Sequence, residues 1–371
     1  MESIAVGEVV AASAVVEALR QQFPAHRVVI STTTSTGQKL AAKRFCAENV
    51  FFFPLDFAFA VRPYVDALRP ELCVIVETEF WPNFLRLAKS AGARIAVINC
   101  RISDRSLPGY RRLRFWLPRV LEPVDLFLAQ TDEDARRLVE IGAAEEKVRV
   151  SGNLKFDVAP PAAPAIVASL RSVFDPSNTK SNATERAGAG PVLAWPILVC
   201  GSTLEGEEAT LLSAFRNILA TYPKAVMLLA PRHPERFAEV ATLVEQLGFR
   251  MEQRSLWSGE SLAGGVLLLD SIGELAALYA VATIAFVGGS LVPRGGHNIL
   301  EPALYGVPIV TGNHYENFLE LIENDGERAT LGRNALAALE SQRGATARTV
   351  SSLVELMDRR APLIPRGEAG E

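Results

Sequence analysis

The chain has 371 residues, of which 49% are hydrophobic and 22% charged, a composition that is ordinary for a soluble globular protein. Its formal net charge of -4 lacks the basic excess of general nucleic-acid binders, so no nucleic-acid partner is expected. The length favours two domains. No apolar run approaches the ~20 residues that cross a bilayer, and no signal peptide precedes the first motif, so an integral membrane protein is not predicted.

The 4 cysteines lack the spacing of metal ligands, and two of them indicate buried free thiols. None belongs to a CxxC pair or to a cluster with histidine, and Cys73 and Cys100 lie within apolar runs. Thiols of this kind are expected in a reducing cytoplasm.

The first part of the chain alternates short apolar strands with helical patterns. Strands that are apolar throughout are typical of parallel sheets covered on both faces. The strands are predicted at 27–31, 51–53, 72–76, 94–99 and 126–129, with helical patterns such as 9–22 and 83–90 between them. This order predicts an α/β domain with a doubly wound parallel sheet over residues 1–157.

Residues 158–196 interrupt this alternation. Prolines cluster at 160–164, and a polar segment rich in proline and glycine follows from 175 to 191 without periodicity. We expect a linker with a disordered insertion here.

The βα pattern restarts in the second half and predicts a second domain over residues 197–371. Its strands are predicted at 197–200, 225–230, 265–270, 283–287 and 307–311. Two such domains enclose a cleft, and ligands of parallel sheets bind at the carboxyl ends of the strands.

The strand ends of the second domain carry the most informative residues. Glycines at strand-to-helix turns let backbone N–H groups approach a phosphate, to which Arg232 would add a charged donor. Glu301 lies about one turn into its helix and is suited to bind a ribose diol. A single such turn is better explained as a tight turn alone, but five together favour a nucleotide site. The segments are 201–205, 231–236, 271–275, 288–290 and 295–303.

Polar residues also follow two strands of the first domain. Hydroxyl groups at 31–37 are suited to cap a helix or bind an anion. Glu77 and Glu79 follow another strand, and one of them is explained as a helix cap, but two carboxylates are less easily explained. Which of them faces the cleft is open.

The stretch 101–119 is rich in arginine and aromatic residues. It is either a solvated helix face or a surface for an anionic acceptor embedded in a membrane, because basic and interfacial aromatic residues suit that role.

Together these motifs make the sequence similar to the Kdo (3-deoxy-D-manno-octulosonic acid) transferases of lipopolysaccharide assembly. The similarity covers nearly the whole chain in order, and the motifs are specific as a set. They are 6–8, 32–37, 77–83, 103–110, 152–157, 201–203, 230–236, 286–290, 295–302 and 316–318.

The resemblance implies a GT-B fold, CMP-Kdo as the donor, the tetraacyl disaccharide bisphosphate precursor of lipid A (lipid IVA) as the acceptor, and no metal or other cofactor. It assigns the catalytic base to Glu8, and we add Glu79 as a second catalytic candidate. It places the CMP-binding residues at Pro231, Arg232, His233, Ile272, Gly273, Glu274, Asn298, Ile299, Leu300 and Glu301.

The resemblance also implies work at the cytoplasmic face of the bacterial inner membrane. Members of the family carry an N-terminal anchor and a strand before the Gly-Glu motif. Here only Ser3–Val6 is available for that strand, so peripheral association is expected. The sequence sets neither the number of Kdo units nor the oligomeric state.

The expected chemistry is an inverting displacement. Arg232 would stabilise the phosphate charge of the departing CMP, a carboxylate would take the proton of the acceptor alcohol, and the transition state would resemble an oxocarbenium ion. Two alternatives stay open. One is another GT-B transferase or a nucleotide-sugar epimerase, and the other is a truncated homologue that binds nucleotide or lipid without turnover.

Overall fold

A computed structural model of the chain describes residues 6–157, 164–174 and 195–358, without the side chains of residues 6–8 and 10. The chain divides into two compact units. Unit 1 comprises residues 1–158 and 342–371, and unit 2 comprises residues 159–341.

Unit 1 contains two parallel sheets, one of two strands in the order β1-β2 and one of four strands in the order β3-β4-β5-β6. The strands are β1 (Ile30–Thr32), β2 (Val50–Phe52), β3 (Leu72–Val76), β4 (Arg94–Cys100), β5 (Leu126–Ala129) and β6 (Val148–Val150). The helices are α1 (Val6–Gln22), α2 (Ser35–Phe45), α3 (Ala58–Leu68), α4 (Pro82–Ser90), α5 (Leu107–Arg112), α6 (Leu117–Leu121) and α7 (Asp132–Glu140).

Unit 2 contains one parallel sheet of six strands in the order β12-β11-β7-β8-β10-β9. The strands are β7 (Ile197–Thr203), β8 (Val226–Pro231), β9 (Met251–Gln253), β10 (Val266–Leu268), β11 (Ile284–Val287) and β12 (Ile309–Val310). The helices are α8 (Ala165–Phe174), α9 (Glu207–Thr221), α10 (Phe237–Gln246), α11 (Leu275–Leu278), α12 (Leu300–Ala303), α13 (Phe318–Glu323) and α14 (Asp325–Ser341); a last helix, α15 (Ala345–Asp358), belongs to unit 1.

Apolar cores on both faces hold the sheet of unit 2. Along β7, Val199 belongs to one buried cluster and Leu198 to the other. Alternate side chains of a strand point to opposite faces, so a strand covered on both faces must be apolar throughout. This is the pattern that predicted the strands.

The predicted domain boundaries need two corrections. The predicted linker contains α8, which packs into the core of unit 2 through Ile166, Leu170 and Phe174. The predicted second domain includes α15, but this helix buries Val350 and Leu353 against the four-stranded sheet of unit 1. Both helices pack through apolar faces, and their position in the sequence does not show which sheet they cover. Residues 158–163 and 175–194, including the predicted insertion, lie outside the described residues.

The structure also differs from the predicted elements. Strands β6 and β9 were missed because each has three residues and carries a charged side chain, Arg149 or Glu252. The basic stretch forms α5 and α6 rather than one helix, and each has a proline in its first turn, where a missing N–H is tolerated. Val6 begins α1, and Ser3, Ile4 and Ala5 of the predicted first strand lie outside the described residues.

Candidate active site

The carboxyl ends of the strands of unit 2 lie at one edge of the sheet because all its strands are parallel. At this edge β7 carries a bulge between Gly201 and Thr203, and Ser202 adopts a φ of 55°. The end of β11 approaches so closely that a Cβ on Gly288 would lie 2.3 Å from the carbonyl oxygen of Ser202. Gly288 is therefore required by a close approach of two backbones.

Arg232 interacts electrostatically with His297 and with Glu301 at this edge. Burial raises the pKa of Glu301, whereas the hydrogen bond from Asn298 and the charge of Arg232 act to lower it. Burial lowers the pKa of His297, and Arg232 lowers it further. Arg232 thus acts on both groups, and since its own side chain is exposed, it is available to an anionic ligand.

The backbone amides of the glycine turn after β11 are bound within the protein. The N–H groups of Gly289, Ser290 and Leu291 donate to the carboxylate of Glu207 at 2.8, 2.9 and 2.9 Å. The expectation that this turn offers amides to a phosphate is wrong, because a buried carboxylate already accepts them.

Two further amides of the glycine-rich segment are also engaged. The N–H groups of Gly296 and His297 donate to the carbonyl oxygens of Gly289 and Gly288 at 2.7 and 3.0 Å. Helices α11 and α12 have four residues each, too short for a strong helix dipole. Arg232, which is exposed, is therefore a side-chain cation available to a phosphate here.

The other predicted CMP-binding residues occupy the same edge. Pro231 ends β8 and is buried, whereas His233, two residues further along the chain, is exposed. Glu274 accepts hydrogen bonds from Ser271 and, at 2.9 Å, from Arg254. The remaining residues are exposed Ile272, Gly273 with a φ of 94°, Asn298 and Ile299 before α12, and Leu300, which begins it.

A cavity of about 540 Å³ lies in unit 1 between the edge strands β1 and β3. Glu79 and Trp81 contribute to its wall, as do Thr32 and Thr33 at the end of β1. Val9, the residue after Glu8, also lines it, while the side chain of Glu8 lies outside the described residues. The structure thus brings the first turn of α1 to the same cavity as Glu79.

Glu77 has a different environment from Glu79. It has a φ of 64°, and its carboxylate lies 3.7 Å from the ammonium group of Lys155. Among the described residues, Glu79 lines the cavity and Glu77 does not. Of the two carboxylates, Glu79 therefore faces the cavity of unit 1.

Exposed apolar side chains follow β2 at the carboxyl edge of its sheet. Leu55 and Phe57 are 73% and 54% exposed, and Phe59, in the first turn of α3, is 80% exposed. We call these three side chains together the aromatic loop. Asp56 anchors this loop by accepting the backbone N–H groups of Asn83 and Phe84 at 2.9 and 2.8 Å. The basic stretch follows β4, so it also lies at the carboxyl edge of its own sheet, and it exposes Leu113, Phe115 and Trp116.

Known proteins identify the family. The family profile described as 3-deoxy-D-manno-octulosonic-acid transferase (kdotransferase) matches residues 1–158. The chain is 32% identical over 376 residues to the 3-deoxy-D-manno-octulosonic acid transferase of Haemophilus influenzae, covering 100% of this chain and 81% of that protein. The chain belongs to the Kdo transferase family. A relative with the same name from Bordetella pertussis is 34% identical over 360 residues, which are 94% of this chain and 76% of that protein.

A solved structure supports the predicted fold of this Kdo transferase. A glycosyltransferase from Rickettsia africae superposes with a TM-score of 0.56 at 13% identity and covers 96% of this chain and 97% of that chain. The fold is therefore GT-B, as predicted. The prediction that the chain is a glycosyltransferase is confirmed by its family.

Reading the sequence missed Glu207, Glu208 and the aromatic loop. The signal for the acids was present, because two adjacent carboxylates in the first turn of α9 precede an apolar face. The signal for the loop was the alternation of Leu55, Phe57 and Phe59 directly after a strand.

None of the helices in the described part of the chain is both long and apolar enough to cross a membrane. No three histidine, cysteine or acidic side chains within the described ranges are grouped to hold a metal ion. Transfer without a metal stays a prediction.

Cys73, Cys100 and Cys200 are buried thiols without a disulfide, and this confirms the prediction for the first two.

Proposed function

We propose that this Kdo transferase moves Kdo from CMP-Kdo to a hydroxyl group of the tetraacyl disaccharide bisphosphate precursor of lipid A, with inversion at the anomeric carbon. The observation that carries the proposal is the exposed Arg232 at the end of β8, whose charge acts on both His297 and Glu301. It offers a cation for one phosphate next to a carboxylate for a ribose.

Departure of CMP requires stabilisation of the charge on its phosphate. A guanidinium group held at the phosphate before reaction does this without reorganisation. Because the amides of the glycine turn are already bound to Glu207, this role falls to Arg232. The carboxylate of Glu301 would accept hydrogen bonds from the ribose hydroxyls, which orients the nucleotide.

Attack by the acceptor requires removal of its hydroxyl proton. An alcohol is a poor nucleophile near neutral pH, and a carboxylate that takes its proton in the transition state assists it. We assign this role to Glu8, in the first turn of α1, with Glu79 in the wall of the adjacent cavity as the second carboxylate. A single displacement inverts the anomeric centre, so a product that retains its configuration would rule out this route.

The proposed acceptor is anionic and embedded in a membrane. The aromatic loop and the basic stretch of unit 1 are suited to the interface of a bilayer, where aromatic rings lie at the headgroups and arginines bind anionic groups. This supports peripheral action at the cytoplasmic face of the inner membrane.

The test is transfer by the purified protein with three donors. CMP-Kdo is generated in situ, the lipid A precursor is the acceptor, and UDP-glucose and UDP-N-acetylglucosamine are the control donors. We expect Kdo addition, detected as a mass increase, with CMP-Kdo alone. Transfer from a UDP-sugar would indicate another GT-B enzyme. CMP binding without any transfer would indicate the non-catalytic homologue.

A further inference from the structure

Two adjacent buried carboxylates open helix α9 of unit 2. Glu207 and Glu208 are 0% and 1% exposed, although carboxylates are rarely buried unless they are paired. Neither group has a role in the proposed chemistry. Their hydrogen-bond partners show what each of them holds.

Glu207 holds the turn after β11. Besides the amides of Gly289, Ser290 and Leu291, its carboxylate accepts the N–H of Leu204 at 2.8 Å, so both its oxygens have two donors. The carbonyl oxygens of Gly288 and Gly289 in turn accept the amides of His297 and Gly296.

The segment held in this way leads directly to the proposed ribose ligand. Asn298 follows His297, its side-chain oxygen accepts the N–H of Leu300 at 3.1 Å, and its amide donates to Glu301 at 3.3 Å. Hydrogen bonds and the short backbone segments between them therefore connect Glu207 to Glu301.

Glu208 holds a different loop. Its carboxylate accepts both terminal nitrogens of Arg236, at 2.7 and 3.2 Å, and the hydroxyl of Thr203 at 2.9 Å. The carbonyl of Thr203 accepts the N–H of Arg232 at 2.9 Å, and the N–H of Arg236 donates to the carbonyl of His233. Glu208 therefore holds the backbone on both sides of Arg232.

We propose that Glu207 and Glu208 are positioning residues with separate roles. Glu207 fixes the conformation of the loop that binds the ribose, and Glu208 fixes the conformation of the loop that binds the phosphate. This rests on the proposed function, which places the nucleotide at Arg232 and Glu301. Each carboxylate acts through a loop and does not touch the ligand.

The two roles predict that each substitution lowers a different ratio of nucleotide affinities. Replacing Glu208 by glutamine frees the loop of Arg232, so the preference for CMP over cytidine falls about tenfold, as expected for a weakened hydrogen bond to a charged group. Replacing Glu207 by glutamine frees the loop of Glu301, so the preference for CMP over 2′-deoxy-CMP falls by about the same factor. A general loss of stability would change neither ratio selectively.

The experiment measures the binding of CMP, 2′-deoxy-CMP and cytidine to the full chain by calorimetry, for the wild type, Glu207→Gln and Glu208→Gln. Glu245→Gln is the matched control, because Glu245 is exposed near the end of α10 and belongs to neither of the two loops. Amide hydrogen exchange without nucleotide provides a second readout that does not need binding. We expect faster exchange over 288–298 in Glu207→Gln and over 231–236 in Glu208→Gln.

The outcomes separate the two proposals. A wild type that binds CMP, with ratios changed as stated and the control unchanged, supports the inference. Ratios that stay constant in both variants, or exchange that rises equally in both loops, would overturn it while leaving the donor site intact. A wild type that does not bind CMP would overturn the proposed function and this inference with it.

Discussion

The carboxyl edges of the sheets in the two units are built differently. In unit 2, two buried carboxylates bind the loops that carry the proposed donor residues, and most polar groups of the glycine turn have a partner within the protein. In unit 1, the corresponding edges border a cavity and expose three apolar side chains of the aromatic loop. Preorganised polar groups suit a small charged nucleotide, whereas an open apolar edge suits a lipid.

The largest expected effect tests the charge in unit 2. Arg232→Ala removes the cation proposed to bind the phosphate, and loss of one such group lowers kcat by about 100- to 1,000-fold. Steady-state Kdo transfer measures this. Arg250→Ala is the control, because Arg250 is exposed and precedes β9, at the amino-terminal edge of the same sheet. Equal losses in both variants would show that Arg232 has no special role.

A smaller effect tests how unit 2 recognises the ribose of the nucleotide. Glu301→Ala removes the proposed partner of the ribose hydroxyls, and CMP binding should weaken about 10- to 100-fold. In this variant CMP and 2′-deoxy-CMP should bind alike by calorimetry, whereas the wild type prefers CMP. Glu320→Ala, at an exposed site of the same unit, should keep the wild-type preference. A preference that survives in Glu301→Ala would move the ribose site elsewhere.

The contrast with unit 1 is tested on vesicles. Phe59→Ser removes the most exposed ring of the aromatic loop, and since burying one Phe side chain contributes ~1.5–3 kcal/mol, binding to anionic vesicles should weaken about 10- to 100-fold. Sedimentation with vesicles measures the change. Leu256→Ser is the matched control, because Leu256 is 76% exposed but lies in unit 2. Equal weakening by both variants would mean that unit 1 has no preferred membrane surface.

The smallest effect concerns the pKa of His297. Burial and then the charge of Arg232 hold this pKa below its ordinary value, so His297 is neutral at neutral pH and its protonation opposes folding as the pH falls below about 6.5. Arg232→Ala removes a like charge, so the pKa should rise and the loss of stability at low pH should shrink. NMR titration of the imidazole signals measures the pKa. An unchanged pKa would show that the two groups do not interact.

The fold was predictable because most of the buried strands contain runs that are apolar on both faces. Ten strands were predicted from this pattern. Strands β6 and β9 were not, because a segment of three residues that includes a charged side chain resembles a loop in the sequence. The placement of α15 was not predictable, because the apolar face of a helix does not show from sequence alone which sheet it packs against.

The site was predictable only in part. Arg232 and Glu301 follow strands or open helices, and the sequence indicated both positions. The use of the Gly289 amides was not predictable, since Glu207 lies 82 residues earlier in the chain and only the fold brings them together. The distinction between Glu77 and Glu79 was not predictable either, because it depends on a cavity whose wall combines residues far apart in the chain.

The most direct test of the account compares Kdo transfer by the wild type and by Glu8→Ala, with Glu17→Ala as the control on the exposed face of α1. We expect the wild type and Glu17→Ala to transfer Kdo from CMP-Kdo to the lipid A precursor, and Glu8→Ala to lose at least about two orders of magnitude in rate, the contribution of a general base. Equal transfer by all three proteins would contradict the assignment of the base, and no transfer by the wild type would contradict the proposed function.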